Sequence, residues 1–229
     1  MNYLLIGAGL IGKKLAIHLS KNSNVVVIDP FSEKIEKKNI KHYKLNFQDF
    51  QNLNVHLNEF DAIVNLAYPK KRDYKVDNFP PPDIFLETVN SHLKLNYSIM
   101  YSSKKYLNKK GGVVISAGSI YSINMPRKEI YKNSLRTTPV DYISSKSSII
   151  YMSKYFAKNY SNKIYFNTIS FGGVFNKHEN EFVRAYGKFT KSKSMLKVNE
   201  VIESIKFLLN SKKNKINGIN LIVDDGFTL

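Results

Sequence analysis

The stretch "NYLLIGAGLIGKKL", residues 2–15, changes its periodicity in the middle. Asn2 to Ile6 is a short apolar run of strand length, and from Leu10 onward the apolar residues recur at helical spacing. Gly7, Gly9 and Gly12 lie where the two patterns meet. Glycine lets a backbone turn tightly there and lets it approach a pyrophosphate, whose charge the N-terminus of the following helix favours. A structural tight turn uses the same residues, so the order of strand, glycines and helix carries the argument rather than the glycines alone.

The same alternation continues outward. Strands are expected at 2–6, 24–29 ("NVVVID"), 42–46 ("HYKLN"), 61–67 ("DAIVNLA"), 112–117 ("GVVISA"), 164–170 ("IYFNTIS") and 219–223 ("INLIV"). Helices are expected at 10–20, 48–58, 82–109, 139–160 and 199–210. Short buried strands alternating with amphipathic helices predict an α/β fold, a doubly wound seven-stranded parallel sheet of the Rossmann type with helices on both faces. Residues 1–229 read as one dinucleotide-binding and catalytic domain, since no repeat, low-complexity tract or linker interrupts them; "FPPPD" at 79–83 reads as a helix entry. The stretches 120–138 and 171–197 read as long loops, which in such sheets carry ligands at the carboxyl ends of strands. Asp29 closes the second strand, where a carboxylate can accept from both hydroxyls of a ribose and repel a 2′-phosphate. This favours NAD over NADP, while Lys34, Lys37 and Lys38 pull the other way.

Composition narrows the class. With 229 residues and 43% hydrophobic content the chain can bury a full core, and its apolar runs are too short for a membrane helix. A cytoplasmic protein is expected. The absence of cysteine excludes disulfides and thiolate ligands, and the five histidines show no paired metal-binding spacing. A net charge of +17 admits nucleic acid, an anionic surface or an anionic small substrate. The lysines are spread from Lys13 to Lys215, and no stack of basic and aromatic residues of a single-strand binder is visible, so nucleic acid is not the expected partner.

The segment "DYISSKSSIIYMSKYFAKNY", 141–160, contains a second signal. At about 100° per residue on a helical wheel, Tyr142 and Lys146 lie about 40° apart. Ile143, Ile149, Ile150, Met152, Phe156 and Ala157 share their arc, while Lys154, Lys158 and Asn159 face away. Lysine is almost never fully buried without a partner, so either something meets Lys146 or its chain snorkels to water. A neighbouring ammonium favours a phenolate, so Lys146 would lower the Tyr142 pKa and make the phenol usable as an acid or base.

These motifs resemble the short-chain dehydrogenase/reductase family over essentially the whole chain. "IVNLAY" at 63–68 resembles the family's Asn-Asn-Ala-Gly turn, and "VN" at 89–90 the asparagine of the next helix. "ISAGSIYS" at 115–122 contains the serine after the fifth strand, "YISSK" the tyrosine and lysine, and "SFGGVFN" at 170–176 the loop after the sixth. Leu5 and Ile6 depart from the usual Thr-Gly, Leu66 and Tyr68 from the turn's second asparagine and glycine, and Phe171 from a proline. The resemblance implies that Tyr142 exchanges a proton with the substrate oxygen, Ser119 holds that oxygen, Lys146 tunes the tyrosine and Asn90 supports a water relay; Ser116 is the alternative serine. It further implies cofactor contacts from Gly7, Gly9, Leu10, Ile11, Gly12, Asp29, Asn46, Asn65, Ala67, Tyr142, Lys146, Gly172 and Val174, and no metal.

In detail, "NLAYPKKRDY", the loop "INMPRKEIYKNSLRTTPV" and "SFGGVFNKHENEFVRAY" resemble a bacterial subgroup linked to surface-polysaccharide, nonulosonic-acid and flagellin-glycan biosynthesis. The expected reaction is NAD(P)-dependent hydride transfer at a hydroxyl or keto carbon of a sugar or activated sugar. Lys70, Lys71, Arg72, Arg127 and Arg136 could meet an anionic group on it. The same fold also accommodates a sugar-nucleotide epimerase or dehydratase that retains NAD, or a non-catalytic dinucleotide-sensing or nucleic-acid-binding protein. The long helices 82–109 and 139–160 resemble those that pair between subunits in the family, implying a homodimer or homotetramer.

Overall fold

The structure, a computed structural model, describes residues 1–46, 59–68, 79–131 and 138–229. The chain runs β1 (Asn2–Ile6), α1 (Leu10–Leu19), β2 (Asn24–Ile28), β3 (Ile40–Tyr43), β4 (Ala62–Asn65), α2 (Pro82–Tyr106), β5 (Gly112–Ala117), α3 (Val140–Asn159), β6 (Ile164–Phe171), α4 (Asn180–Gly187), α5 (Val198–Leu209), α6 (Ser211–Asn214) and β7 (Asn220–Val223). Short 3-10 turns at Ile120–Ser122 and Lys128–Tyr131 interrupt the passage from β5 to α3.

All seven strands pair in parallel, in the order β3-β2-β1-β4-β5-β6-β7. The order reverses between β1 and β4, and at such a switch point the outgoing loops part and leave a crevice at the carboxyl ends. Period-two alternation distributes the core. Leu5, Val27, Val64 and Ile115 pack with Leu15, Ala16, Val201 and Ile205 of α1 and α5. Leu4, Ile6, Ile63, Val114 and Phe166 pack on the other face with Leu95, Ile99, Ile149 and Phe156 of α2 and α3. Each fully buried side chain of this kind contributes about 1.5–3 kcal/mol of transfer free energy.

Differences from the sequence reading are local. The third strand pairs from Ile40 to Tyr43 rather than from 42 to 46, because its register is set by Val25 to Ile28 of its single neighbour. Helices α4 and α6 occupy stretches expected to be irregular or unassigned, with lengths of 8 and 4 residues, too short to develop a clear period. The helix expected at 48–58 lies outside the described residues.

Candidate active site

The glycine turn is built by close backbone approach. Gly7 has φ of 93°, and a Cβ there would stand 2.6 Å from the Ala67 amide nitrogen, so the turn after β1 is pressed against the turn after β4. A Cβ on Gly12 would stand 2.0 Å from the Gly7 carbonyl oxygen. Gly9 behaves differently: it caps α1 without a side-chain hydrogen bond, and nothing lies within 4 Å of where its Cβ would be. The first amides of α1, at Leu10 and Ile11, therefore begin beside the open space at Gly9, which fits an approaching pyrophosphate.

Asp29 stands at the end of β2, 7% exposed, but its oxygens are largely occupied. Oδ2 accepts from the Ala8 amide at 2.6 Å, and Oδ1 from the Phe31 and Ser32 amides at 2.8 and 2.7 Å. Burial works to raise its pKa, and the three backbone donors overcome that and hold it below the ordinary carboxylate value. A carboxylate has about four acceptor directions, so the expectation of a carboxylate free for both ribose hydroxyls is corrected to one that clamps the glycine turn first.

Beyond β4, Asn65 Oδ1 accepts from the Ala67 amide at 3.1 Å, and its Nδ2 donates to Asn96 Oδ1 at 2.8 Å. Asn96 Nδ2 donates in turn to the His92 carbonyl, so the turn is braced by α2. Gly172 follows β6 and donates to the Val223 carbonyl at 2.9 Å, and Val174 bridges to Leu196. Asn46 lies exposed beyond the edge strand β3.

Tyr142 and Lys146 occupy the first turns of α3 and share its inner side, as the wheel anticipates. Lys146 is 4% exposed and does meet partners: Nζ donates to the Ala117 carbonyl at 2.8 Å and lies 5.3 and 5.9 Å from the ring centres of Tyr68 and Tyr142. Burial lowers its pKa to about 7. The expectation that Lys146 lowers the Tyr142 pKa is corrected. Burial raises that pKa, a hydrogen bond with the Ser119 hydroxyl works against the rise and nearby Tyr131 adds to it; the net direction is upward. The lysine's anchoring to a main-chain carbonyl, away from the phenol, leaves desolvation in charge.

Ser119, 5% exposed, caps the 3-10 turn after β5, accepting from the Tyr121 amide at 3.2 Å, and meets Tyr142. Ser116, the alternative, is enclosed within β5 with a hydroxyl that has no hydrogen-bond partner among the described residues. Asn90 is corrected as a member of the site. It is exposed on α2, while His92, two residues and about 200° further round, is fully buried toward Tyr68 and feels the charge of Lys146. Neither His92, Asn96 nor Tyr68 was singled out as a site residue from the sequence; the buried stripe His92, Leu95, Asn96, Ile99 at helical spacing was the available signal. Arg127 also departs from expectation, because Nη2 donates to the Phe227 and Leu229 carbonyls at 3.3 Å and the guanidinium covers the Phe189 ring. Lys70, Lys71, Arg72 and Arg136 lie outside the described residues.

This geometry has close counterparts. A family model described as enoyl-(acyl carrier protein) reductase matches residues 48–228, and one described as the NADP-binding domain of saccharopine dehydrogenase matches residues 3–76. The chain is 26% identical over 243 residues to post-translational flagellin modification protein A of Campylobacter coli, covering 96% of this chain and 95% of that relative. It superposes with a TM-score of 0.83 and 25% identity on a short-chain dehydrogenase from Leptospira borgpetersenii with bound NAD+, covering 100% of this chain and 92% of that one. A short-chain dehydrogenase family protein of Francisella tularensis gives a TM-score of 0.81 at 21% identity, with 99% and 98% covered. With the family match spanning most of its length and the seven-stranded parallel fold in agreement, the chain belongs to the short-chain dehydrogenase/reductase family of oxidoreductases.

Proposed function

We propose that this enzyme uses NAD to oxidise or reduce a hydroxyl or keto carbon of a sugar or activated sugar in surface-glycan biosynthesis. The observation that carries the reading is the meeting of Ser119, from the turn after β5, with Tyr142 and Lys146, from the first turns of α3, at the carboxyl end of β5. When bound, NAD supplies or accepts the hydride. The open N-terminus of α1 receives its pyrophosphate, and the negative charge at Asp29 disfavours a 2′-phosphate beside it. Asn65 and Ala67 shape the turn that walls the cleft.

With its pKa raised, Tyr142 is protonated at neutral pH and is poised to donate to a carbonyl oxygen; in the reverse direction it receives the alcohol proton. Ser119 holds the same oxygen and so fixes it against the phenol. Lys146, titrating near neutrality, binds Ala117 through one N–H, and among the described residues its ammonium form keeps two more for a ribose hydroxyl and for proton resupply.

The sugar reading draws on the surroundings. Tyr121 and Tyr131 hydroxyls are 2.9 Å apart, Thr138 Oγ1 lies 3.5 Å from Tyr131, and Tyr131 bears on Tyr142. A run of hydroxyls beside the acid-base group suits a polyhydroxylated substrate, and the flagellin modification relative supports it. The net charge of +17 favours an anionic one. Tyr97 and Tyr101 on α2 and Tyr151 and Tyr155 on α3 are exposed, an aromatic surface that a homodimer or homotetramer formed through these helices would bury. No helix among the described residues is long and apolar enough to cross a membrane, and we assign the enzyme to the cytoplasm. The test is NADH formation or consumption across a panel of activated and acidic sugars. Turnover on one of them, with NADPH much less effective, is expected; no turnover on any would overturn the sugar assignment.

A further inference from the structure

Asp29 and the three lysines that pull against it over the cofactor, Lys34, Lys37 and Lys38, all belong to the connection between β2 and β3. That connection is held from two sides. At its start, Asp29 Oδ1 gathers the Phe31 and Ser32 amides. From the neighbouring strand comes His42, which stands opposite Val27 in the register of β3 on β2. Its Nδ1 accepts from the Ile35 amide at 3.1 Å, and its Nε2 lies 3.3 Å from Ser32 Oγ. A nitrogen that accepts from a main-chain N–H carries no proton, so the neutral ring keeps its one N–H on Nε2 and donates it to Ser32. Ser32 is shared by the two holds: its amide serves Asp29 and its hydroxyl serves His42. Ile35 is 4% exposed and anchors the turn in the core, while the side chains of Lys34, Lys37 and Lys38 stand in solvent.

We propose that His42 is a positioning residue for cofactor selection. By holding Ser32 and Ile35 it keeps the Phe31 and Ser32 amides on Asp29 and keeps the lysines of the turn away from a 2′-phosphate, so that NAD is taken in preference to NADP. This rests on the assignment of Asp29 to the ribose end of the cofactor, and it adds what makes that assignment hold in a turn rich in lysine. With the hold released, the carboxylate loses its fixed donors and the turn is free to bring an ammonium to a 2′-phosphate, a pairing that lysine makes readily.

The hold depends on a neutral ring. Protonation puts an N–H on Nδ1 facing the Ile35 N–H, and that bond is lost. Burial lowers the His42 pKa from its ordinary value; Asp29 at the end of β2 works against this, and Lys44 beyond β3 and Lys34 in the turn add to it. These are the charged groups that bear on the ring among the described residues. Because the folded pKa lies below the unfolded one, the stability that the hold contributes is present above the unfolded value and is lost as pH falls through the folded one.

The test is fluorescence titration of the whole chain with NADH and with NADPH, and its readout is the ratio of the two dissociation constants. His42→Leu and Ser32→Ala are expected to move that ratio toward NADPH by about three- to tenfold, the effect of one or two lost neutral hydrogen bonds. His42→Gln, whose amide offers one acceptor and one donor, keeps it. A histidine that served only the fold would weaken both cofactors together and leave the ratio where it was. The second measurement repeats the titrations from about pH 5 to about pH 8. The wild-type preference for NADH narrows toward acid by more than it does in His42→Gln, the variant that accounts for protonation of the 2′-phosphate itself. An unchanged ratio in both His42→Leu and Ser32→Ala, or an equal pH response in wild type and His42→Gln, overturns the proposal. A wild-type ratio that favours NADPH overturns the NAD assignment instead, while the shift between wild type and variants still decides whether His42 acts on selection. Neither readout needs a sugar substrate, so an unproductive sugar panel would leave this result standing.

Discussion

The two sides of the cleft are built by opposite means. On the β1 side, the proposed recognition is made of backbone: Gly7, Gly9 and Gly12 shape a turn in which a single added carbon would collide or fill open space. On the β5 side it is made of side chains that arrive from four places, Tyr68 after β4, His92 on α2, Ser119 after β5, and Tyr142 with Lys146 on α3. The first is local in sequence and tolerates no volume. The second is assembled by packing, and its electrostatics depend on how completely water is excluded. A glycine turn can bind a cofactor in many chemistries, whereas the enclosed phenol and ammonium are the groups to which we assign proton transfer.

Substitutions can break this contrast one side at a time. The largest effect is expected at Lys146→Met, where turnover falls about 10²–10⁴-fold, the range of a lost acid-base element, while the fold is kept. The same variant reports on stability. The folded pKa of about 7 lies below the unfolded value, so the unfolded chain holds more protons above that pH and wild-type stability rises with pH from there toward the unfolded lysine pKa. Lys146→Met removes that rise, which denaturant unfolding at about pH 6 and about pH 9 would detect.

Next comes Gly12→Ala on the other side. Its Cβ would meet backbone, not a movable side chain, at 2.0 Å. A destabilisation of about 1–3 kcal/mol is expected, with NADH binding lost by fluorescence titration while Tyr142 and Lys146 are untouched. Smaller still is Asn96→Ala, which leaves the Asn65 amide without its acceptor and costs about 1–2 kcal/mol in thermal or chemical unfolding. The least effect belongs to Asn90→Ala, within about 0.5 kcal/mol and with unchanged turnover, because the side chain is exposed. If Asn90 instead proved as sensitive as Asn96, the assignment of the inner face of α2 would be reversed.

What could be read in advance follows the same division. The sheet was legible because buried parallel strands are short unbroken apolar runs, and the glycine turn because its constraint is local. The Tyr142 and Lys146 pair was legible because a helical wheel is a local construction. Tyr68, His92 and Asn96 were not, since a histidine on α2 and a tyrosine after β4 become neighbours only through the packing of α2 on the face of the sheet that carries β4. Asn90 shows the hazard of a motif matched in sequence: two residues along a helix is the far side. Arg127 looked free for a substrate until the C-terminal turn supplied two carbonyls, and Phe189 and Phe227 their rings, to hold it. The direction of the Tyr142 pKa was likewise out of reach, because desolvation is a property of the packed site and not of the spacing.

The central claim is that the Tyr142 hydroxyl moves the proton in a site that binds cofactor independently of it. Tyr142→Phe removes that one oxygen, and paired measurements of NADH affinity and of turnover on an accepted sugar test the claim directly. The account predicts affinity within about twofold of wild type and turnover reduced by about 10²–10⁴-fold; turnover that survives with affinity intact would contradict it.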